Sequence, residues 1–145
     1  MLTLVPVDPD NWREPLTVRE DQRRYVADRT ALLARAYAYR NYRSQARLIM
    51  LDGTPIGMLL YHDDTWENRT YVLSQFFIDQ RWQRQGHGYA AMQLVLDGMR
   101  REGRFREATL CYVEGDEAAR RLYEKCGFAP TGEVDGDEIV MRLTL

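Results

Sequence analysis

Hydrophobic and polar positions change their period along the chain, and each change marks the border of an element. Apolar residues alternate and cluster over 70–79, a polar run with two glycines fills 80–88, and apolar spacings of three and four run through 89–102. A period near two is typical of a strand, and spacings of three and four are typical of an amphipathic helix. The middle of the chain is therefore predicted to be a strand, a turn and a helix.

The same reading divides the rest of the chain into further elements. Before the central unit it predicts a strand at 2–7, one long or two short helices within 14–42, and a hairpin of strands 47–51 and 56–61. Asp28 or Thr30 could cap a second helix. After the central unit it predicts a strand at 107–113, a helix at 117–125 that Gly127 ends, and a hairpin of strands 128–133 and 138–143. The order is β-αα-ββ-β-α-β-α-ββ, a mixed α/β sheet.

Composition narrows the class of protein without naming an activity. The chain has 145 residues with 45% hydrophobic and 29% charged residues, which predicts one domain covering 1–145. No apolar run is long enough for a membrane span, and the N-terminus lacks a signal-peptide pattern, so a cytoplasmic protein is expected. A net charge of −2 argues against nucleic acid as the main partner. Cys111 and Cys126 are expected to be reduced packing residues.

The glycine turn predicts a phosphate site. Gly86 and Gly88 let the backbone approach a ligand, and the following helix directs unpaired N–H groups and its positive dipole end at the same place. Arg81 and Arg84 add charge nearby. A dinucleotide fingerprint would need this turn in the first strand–helix unit, and a nucleoside-triphosphate loop would need Gly-Lys-Ser/Thr, which is absent. A tight turn without a ligand is the remaining alternative.

A second pattern lies on the helix at 117–125 and just after it. Ala119, Leu122, Tyr123 and Cys126 share one helical face. Taken alone, such a stripe is more often part of a core than of a catalytic site.

Together, in this order and spacing, the two patterns resemble the GNAT family of acyl-CoA-dependent N-acyltransferases. The resemblance comprises a strand, Gln83-x-x-Gly86-x-Gly88, a helix, a strand, and an acidic residue seven positions before Tyr123 and its following Gly-Phe. It implies a seven-stranded mixed sheet split between its fourth and fifth strands, with acetyl-CoA in the split. It also implies a homodimer and no metal cofactor.

The resemblance carries roles to particular residues. Tyr123 would lie beside the thioester sulfur as the catalytic acid, and main-chain groups of Phe76, Phe77 and Ile78 would bind the pantetheine arm. The remaining contacts to the cofactor are implied for Gln83, Arg84, Gln85, Gly86, His87, Gly88, Tyr89, Asp116 and Ala119.

Some positions depart from the family's pattern. Asp116 stands where an asparagine is usual, and an N-cap of the following helix is the favoured interpretation. Cys111 stands where some branches place a glutamate base, and Gln75 cannot serve as one, so no general base is evident. His87, which lies between the two glycines, is expected to point outward, and His62, at the end of a strand, is expected to be structural. A metal role for His87 is not expected, because it has no partners at metal-ligand spacing.

Within the family the chain looks most like the diamine and polyamine acetyltransferase branch, which implies a small-molecule amine as acceptor. A polycation favours carboxylates along its channel, and the candidates are Asp21, Asp28, Asp63, Asp64, Glu67 and Glu138. Aromatic candidates for the channel mouth are Trp12, Trp66 and Trp82. The alternatives are a non-catalytic acyl-CoA-binding module and an enzyme for another acceptor, such as an amino acid, an antibiotic or a protein amine.

Overall fold

A computed structural model describes residues 1–67 and 69–145. The strands are β1 (Leu2–Pro6), β2 (Gln45–Leu51), β3 (Thr54–Asp63), β4 (Tyr71–Ile78), β5 (Glu107–Val113), β6 (Ala129–Asp135) and β7 (Glu138–Thr144). The α-helices are α1 (Arg29–Ala38), α2 (His87–Glu102) and α3 (Glu117–Lys125), and short 3₁₀ turns cover Glu20–Gln22, Arg40–Tyr42 and Gln80–Trp82. The predicted mixed α/β fold is confirmed.

The seven strands form one sheet in the order β1-β2-β3-β4-β5-β7-β6. Every neighbouring pair is antiparallel except β4 and β5, which run parallel. These two central strands pair only at Tyr71–Ala108, Val72–Thr109 and Leu73–Leu110. Beyond Leu73 they separate, so the sheet has a gap that is open toward the C-terminal ends of both strands.

A β-bulge in β4 lies where the gap begins. Leu60 of β3 lies opposite Gln75, whereas Tyr61 lies opposite Leu73, so Ser74 is an extra residue on β4. A bulge bends its strand and increases the local twist. The bulge therefore accompanies the divergence of β4 from β5.

Each face of the sheet carries its own hydrophobic core. On one face α2 and α3 pack over residues such as Ile78 and Leu110. On the other face α1 and the segment before it pack over Met58, Leu60 and Phe77. Because side chains alternate along a strand, neighbouring residues of β4 belong to different cores.

The prediction for 14–42 is wrong in its first half and right in its second. Asp28 caps α1, its Oδ1 accepting a hydrogen bond from the Ala31 N–H at 2.8 Å. Residues 14–19 instead run extended with alternating burial, and the Thr17 carbonyl accepts from the Gln80 N–H at 2.8 Å. Leu16 and Val18 are both buried at a spacing of two, which is the period of a strand, whereas residues two apart on a helix lie on nearly opposite faces.

Candidate active site

The turn after β4 is built around Asp79, which is 1% exposed. Its carboxylate accepts hydrogen bonds from the N–H of Thr17 at 3.0 Å, the N–H of Arg81 at 3.0 Å and the Arg81 Nε at 2.7 Å. Burial by itself would raise the pKa of Asp79, but the Arg81 side chain and the two backbone donors leave that pKa lowered. Asp79 thus ties the extended N-terminal segment to the start of the turn as a charged group.

The glycine turn then reverses the chain into α2. Arg84 has φ of 61° and Gly86 has φ of 82°, a left-handed conformation that favours glycine. Gly86 is the N-cap residue and supplies no side-chain cap to the helix. The N–H groups of the first turn of α2 therefore have no acceptor within the helix, as expected for a helix N-terminus. The predicted start at residue 89 is two residues late.

Gln83 has a structural contact that the sequence did not reveal. Its Nε2 donates to the Ile78 carbonyl at 2.9 Å and to Gln22 Oε1 at 2.9 Å. The side-chain amide of Gln83 therefore links the end of β4 to the N-terminal segment.

A cavity of about 400 Å³ passes through the gap between β4 and β5. On the face that α2 and α3 cover, its lining includes Ile78, Gly88, Ala119, Leu122 and Tyr123. On the face that α1 covers, its lining includes Val18, Tyr25, Arg35, Gln75, Cys111 and Glu138. The cavity connects the two faces of the sheet, so two molecules can reach each other through it from opposite sides.

Ten of the thirteen predicted site residues line this cavity. They are Phe76, Phe77, Ile78, Gln83, Arg84, His87, Gly88, Asp116, Ala119 and Tyr123. The other three are not among the lining residues and belong to the turn and the first turn of α2: Gln85, Gly86 and Tyr89. Tyr89 instead contacts Lys125, whose Nζ lies 4.4 Å from its ring centroid.

Tyr123 is 8% exposed, on the face of α3 that points into the cavity. Its ring packs edge-on against Phe128, with 6.2 Å between centroids. Burial, followed by the negative charge of Asp116 and by Cys126, raises the pKa of the Tyr123 phenol. The hydroxyl is therefore a neutral hydrogen-bond donor that holds its proton firmly.

Asp116 caps α3, as its position predicted. Its Oδ1 accepts a hydrogen bond from the Ala119 N–H at 3.2 Å. Burial raises the pKa of this carboxyl above its ordinary value, and the bond from Ala119 opposes that rise.

Three buried side-chain polar atoms lack a hydrogen-bond partner among the described residues, and all three belong to residues that line the cavity. They are Arg19 Nε, Ser74 Oγ and His87 Nε2. The expectation that His87 points outward is therefore wrong. Arg19 Nε does lie within ion-pair distance of Asp21 Oδ1, at 3.4 Å. Buried polar atoms are almost always hydrogen-bonded, so Ser74 Oγ and His87 Nε2 indicate that partners come from whatever fills the cavity. No alternation pattern identifies Ser74, because the bulge that frees it is invisible in the sequence.

Most of the expected channel carboxylates lie away from the cavity. Asp63 is buried but pairs with Arg104, whose Nη2 lies 3.0 Å from its Oδ2. Asp28 caps α1, and Glu67 pairs with Arg69 at 3.5 Å on the surface. Of the six candidates, the one that lines the cavity is Glu138.

The structure also places the tryptophans, Cys111 and His62, some in the cavity wall and some outside it. Trp82 lines the cavity, whereas the side chains of Trp12 and Trp66 are exposed outside it. Cys111 is an exposed residue that lines the cavity, so its assignment to the core is wrong. Partial desolvation of its thiol by the cavity wall, followed by the charge of Glu138, raises the pKa of that thiol. His62 is buried, and its Nδ1 lies 2.7 Å from the Asp63 carbonyl oxygen.

Across residues 1–67 and 69–145, no group of three or more His, Cys, Asp or Glu side chains is arranged to hold a metal ion. Within the same residues, no helix has the length and apolar character to cross a membrane.

Comparison with known proteins gives a consistent result. A model of the Acetyltransferase (GNAT) family matches residues 9–128. A spermine/spermidine N(1)-acetyltransferase of Bacillus subtilis is 25% identical over 134 residues, which are 88% of this chain and 87% of that protein.

Solved structures with the same fold include two that hold ligands. A spermidine N-acetyltransferase from Vibrio cholerae, in complex with CoA and spermine, superimposes with a TM-score of 0.77 at 17% identity, covering 99% of this chain and 95% of that one. A GNAT family acetyltransferase from Elizabethkingia anophelis, with acetyl-CoA bound, gives a TM-score of 0.72 at 13% identity, covering 99% and 98% of the two chains.

Proposed function

Because the chain belongs to the Acetyltransferase (GNAT) family, we propose that it transfers the acetyl group of acetyl-CoA to a primary amine of a small molecule. The observation that carries this proposal is the continuous cavity that runs from the glycine turn, past Tyr123, to the opposite face of the sheet. The predicted family and the predicted N-acetyltransferase class are confirmed. The acceptor and the roles of individual residues are proposals.

The turn and the free edge of β4 would bind the cofactor. The N–H groups at the start of α2 and the charge of Arg84 suit the diphosphate. The Asp79 N–H donates to the Ile56 carbonyl of β3. Because backbone groups along a strand alternate in direction, those of Phe77 also face β3, and those of Phe76 and Ile78 face the gap. The pantetheine arm would therefore bond to Phe76 and Ile78 as an added strand, with its thiol end toward the bulge.

The acetyl transfer needs a neutral amine and a stabilised leaving group. A free alkyl ammonium has a pKa near that of lysine, about 10.4, so its deprotonation at pH 7 costs roughly 5 kcal/mol. The amine nitrogen then bonds to the carbonyl carbon, the C–S bond breaks, and the nitrogen releases its second proton to solvent. The thiolate that leaves would accept a hydrogen bond from the Tyr123 hydroxyl. Because burial raises the pKa of Tyr123, a hydrogen bond is favoured over full proton transfer.

A polyamine is the acceptor class that the relatives support. The Bacillus subtilis relative is named for spermine and spermidine, and the Vibrio cholerae structure is a complex with spermine. Spermidine is therefore the first amine to assay, by the release of free CoA thiol from acetyl-CoA.

Arg35 favours a second candidate, an amine that also carries a carboxylate. Its Nη1 lies 3.4 Å from the Ser74 carbonyl at the bulge, it lines the cavity, and it makes no ion pair within the described residues. A guanidinium repels a polycation and attracts a carboxylate.

Replacement of Arg35 separates the two acceptor classes by the sign of its effect. For a polyamine acceptor, Arg35→Gln should lower the KM of the amine because a repulsive charge is gone. For a carboxylate-bearing amine such as lysine, the same change should raise that KM by about tenfold. Arg40→Gln, an exposed arginine that stacks on Tyr37, is the control.

The assay also tests the alternative of a non-catalytic acyl-CoA-binding module. Such a module would bind CoA in calorimetry yet release no thiol above the background with any amine. A cytoplasmic location and a homodimer remain predictions.

A further inference from the structure

We propose that Glu138 binds the ammonium group of the acceptor amine, at the mouth of the cavity on the α1 side of the sheet. This inference rests on the proposed transfer of an acetyl group to an amine. It adds the residue that would hold the acceptor before reaction.

The position of Glu138 follows from strand register. It lies opposite Val113 in the β5–β7 pair, and its neighbour Ile139 packs against the core under α2 and α3. Because side chains alternate along a strand, Glu138 points to the other face of the sheet, beside Cys111 and Val113. The cofactor turn and Tyr123 belong to the first face, so Glu138 is placed where a second substrate would enter.

The carboxylate of Glu138 is available for a ligand. It is half-buried, and it takes part in no ion pair or side-chain hydrogen bond within the described part of the chain. By contrast, Glu107 at the other end of the same strand pair lies 3.1 Å from Arg142 Nε. Asp116, the other carboxylate in the cavity wall, is occupied as the cap of α3.

The cavity needs such a group if a cation is to enter it. Its other charged walls include Arg19 and Arg35, which would repel an ammonium ion. A partly desolvated ammonium ion is stabilised by an opposite charge, and that charge also holds the ion in its protonated form. Glu138 would therefore bind the amine rather than deprotonate it, and the proton would leave as the nitrogen moves toward the thioester.

The first test is a kinetic comparison of two glutamine variants. Glu138→Gln should raise the KM of the amine by about tenfold or more and leave the KM of acetyl-CoA unchanged. Glu138→Asp should restore part of the loss. Glu67→Gln, an exposed carboxylate in the loop between β3 and β4 and outside the cavity wall, is the matched control and should change neither constant. An unaltered amine KM in Glu138→Gln would overturn the inference.

The second test reads the charge of the site without catalysis. The free thiol of Cys111 lies in the same wall and can be labelled with an ammonium-bearing methanethiosulfonate or with uncharged methyl methanethiosulfonate. The ratio of the two rates cancels any change in the reactivity of the thiol itself. Glu138→Gln should lower this ratio about tenfold, with peptide mapping to confirm the labelled cysteine, whereas Glu67→Gln should leave the ratio unchanged.

The two tests fail in different ways. A wild-type protein that acetylates no amine in the panel would overturn the proposed function, while the labelling ratio would still report on Glu138. A labelling ratio that Glu138→Gln leaves unchanged would overturn the inference even in an active enzyme.

Discussion

Tyr123 combines two properties that are usually separate in a protein. It is nearly as buried as a core residue, yet it faces a cavity that an outside molecule must fill. A phenol in that position cannot ionise readily, because burial disfavours its charged form. Its expected contribution is thus a directed hydrogen bond to charge that develops on the sulfur.

Removing that hydroxyl tests the role directly. Tyr123→Phe should lower kcat by about tenfold or more and leave the Kd of CoA nearly unchanged, since the lost bond forms only as sulfur gains charge. Steady-state thiol release and calorimetry measure the two quantities. Tyr37→Phe, at an exposed position on α1, is the control. An equal kcat for Tyr123→Phe and wild type would exclude the proposed role.

Asp79 makes stability depend on pH. The pKa of Asp79 in the folded protein lies below its ordinary value, so its contribution is complete above the pKa of the unfolded chain and disappears as the pH falls through the folded pKa. Asp79→Ala should therefore cost about 3 kcal/mol of unfolding free energy at pH 7, and less as the pH drops below 4.

Denaturant unfolding at several pH values measures this difference. Asp97→Ala is a suitable control, because its pair with Arg100 lies on the surface and should contribute at most about 0.5 kcal/mol. If the difference in unfolding free energy between wild type and Asp79→Ala stays constant down to pH 3, Asp79 is not the charged group assigned here.

The glycine turn is the element whose shape matters most for the proposed cofactor site. A Cβ at Gly86 would meet no atom within 4 Å, so the need for glycine comes from φ of 82° and not from crowding within the protein. The left-handed conformation fixes the direction in which α2 begins, and with it the direction of the free N–H groups.

Alanine at Gly86 should cost about 1 kcal/mol of stability and weaken CoA binding about tenfold, because the strained turn redirects those groups. Gly132 in β6 offers a matched control, with φ of 90° and open space around it. Gly132→Ala should cost similar stability in thermal unfolding and leave the Kd of CoA unchanged. If both variants bind CoA with the same affinity, the glycine turn does not form the binding site of the cofactor.

Sequence reasoning succeeded for elements with a strong local signal. β5 and α3 have the predicted bounds, because each is a periodic run between clear breakers such as Gly127. It failed at 14–19, where long-range hydrogen bonds to Asp79 and Gln80 hold an extended segment. It also missed the bulge at Ser74, since one extra residue in a strand is defined only by its partner strand.

The sequence was sufficient to predict the motif residues of the candidate site, but not the residues that line the cavity on the α1 side of the sheet. Gly86 and Tyr123 stand in recognisable local patterns, whereas Arg35, Cys111 and Glu138 come from α1, β5 and β7 and meet only through the sheet order. The choice of Glu138 over Asp63 required burial and ion-pair information, which spacing along the chain does not contain.

At the scale of the whole molecule, the unpaired edge of β4 predicts which backbone amides a bound cofactor would protect from hydrogen exchange. CoA should slow hydrogen exchange at the amides of Phe76 and Ile78, which face the gap, and leave Phe77, which faces β3, unchanged. At about 100 times its Kd, CoA should add about 2.7 kcal/mol of stability and raise Tm by about 8 °C. Amide exchange by NMR and thermal unfolding measure both effects, and uniform protection along β4 would contradict the arrangement.

Among the described residues, three ladder pairs between β4 and β5 join the backbone of β1–β4 to that of β5, β7 and β6 within the sheet. This short pairing lies beside the cavity in which the proposed reaction takes place. Further backbone hydrogen bonds between β4 and β5 would stabilise the fold, but they would also close that cavity. Selection for stability would therefore favour pairing of the peptide groups beyond Leu73, whereas selection for activity would favour leaving them unpaired.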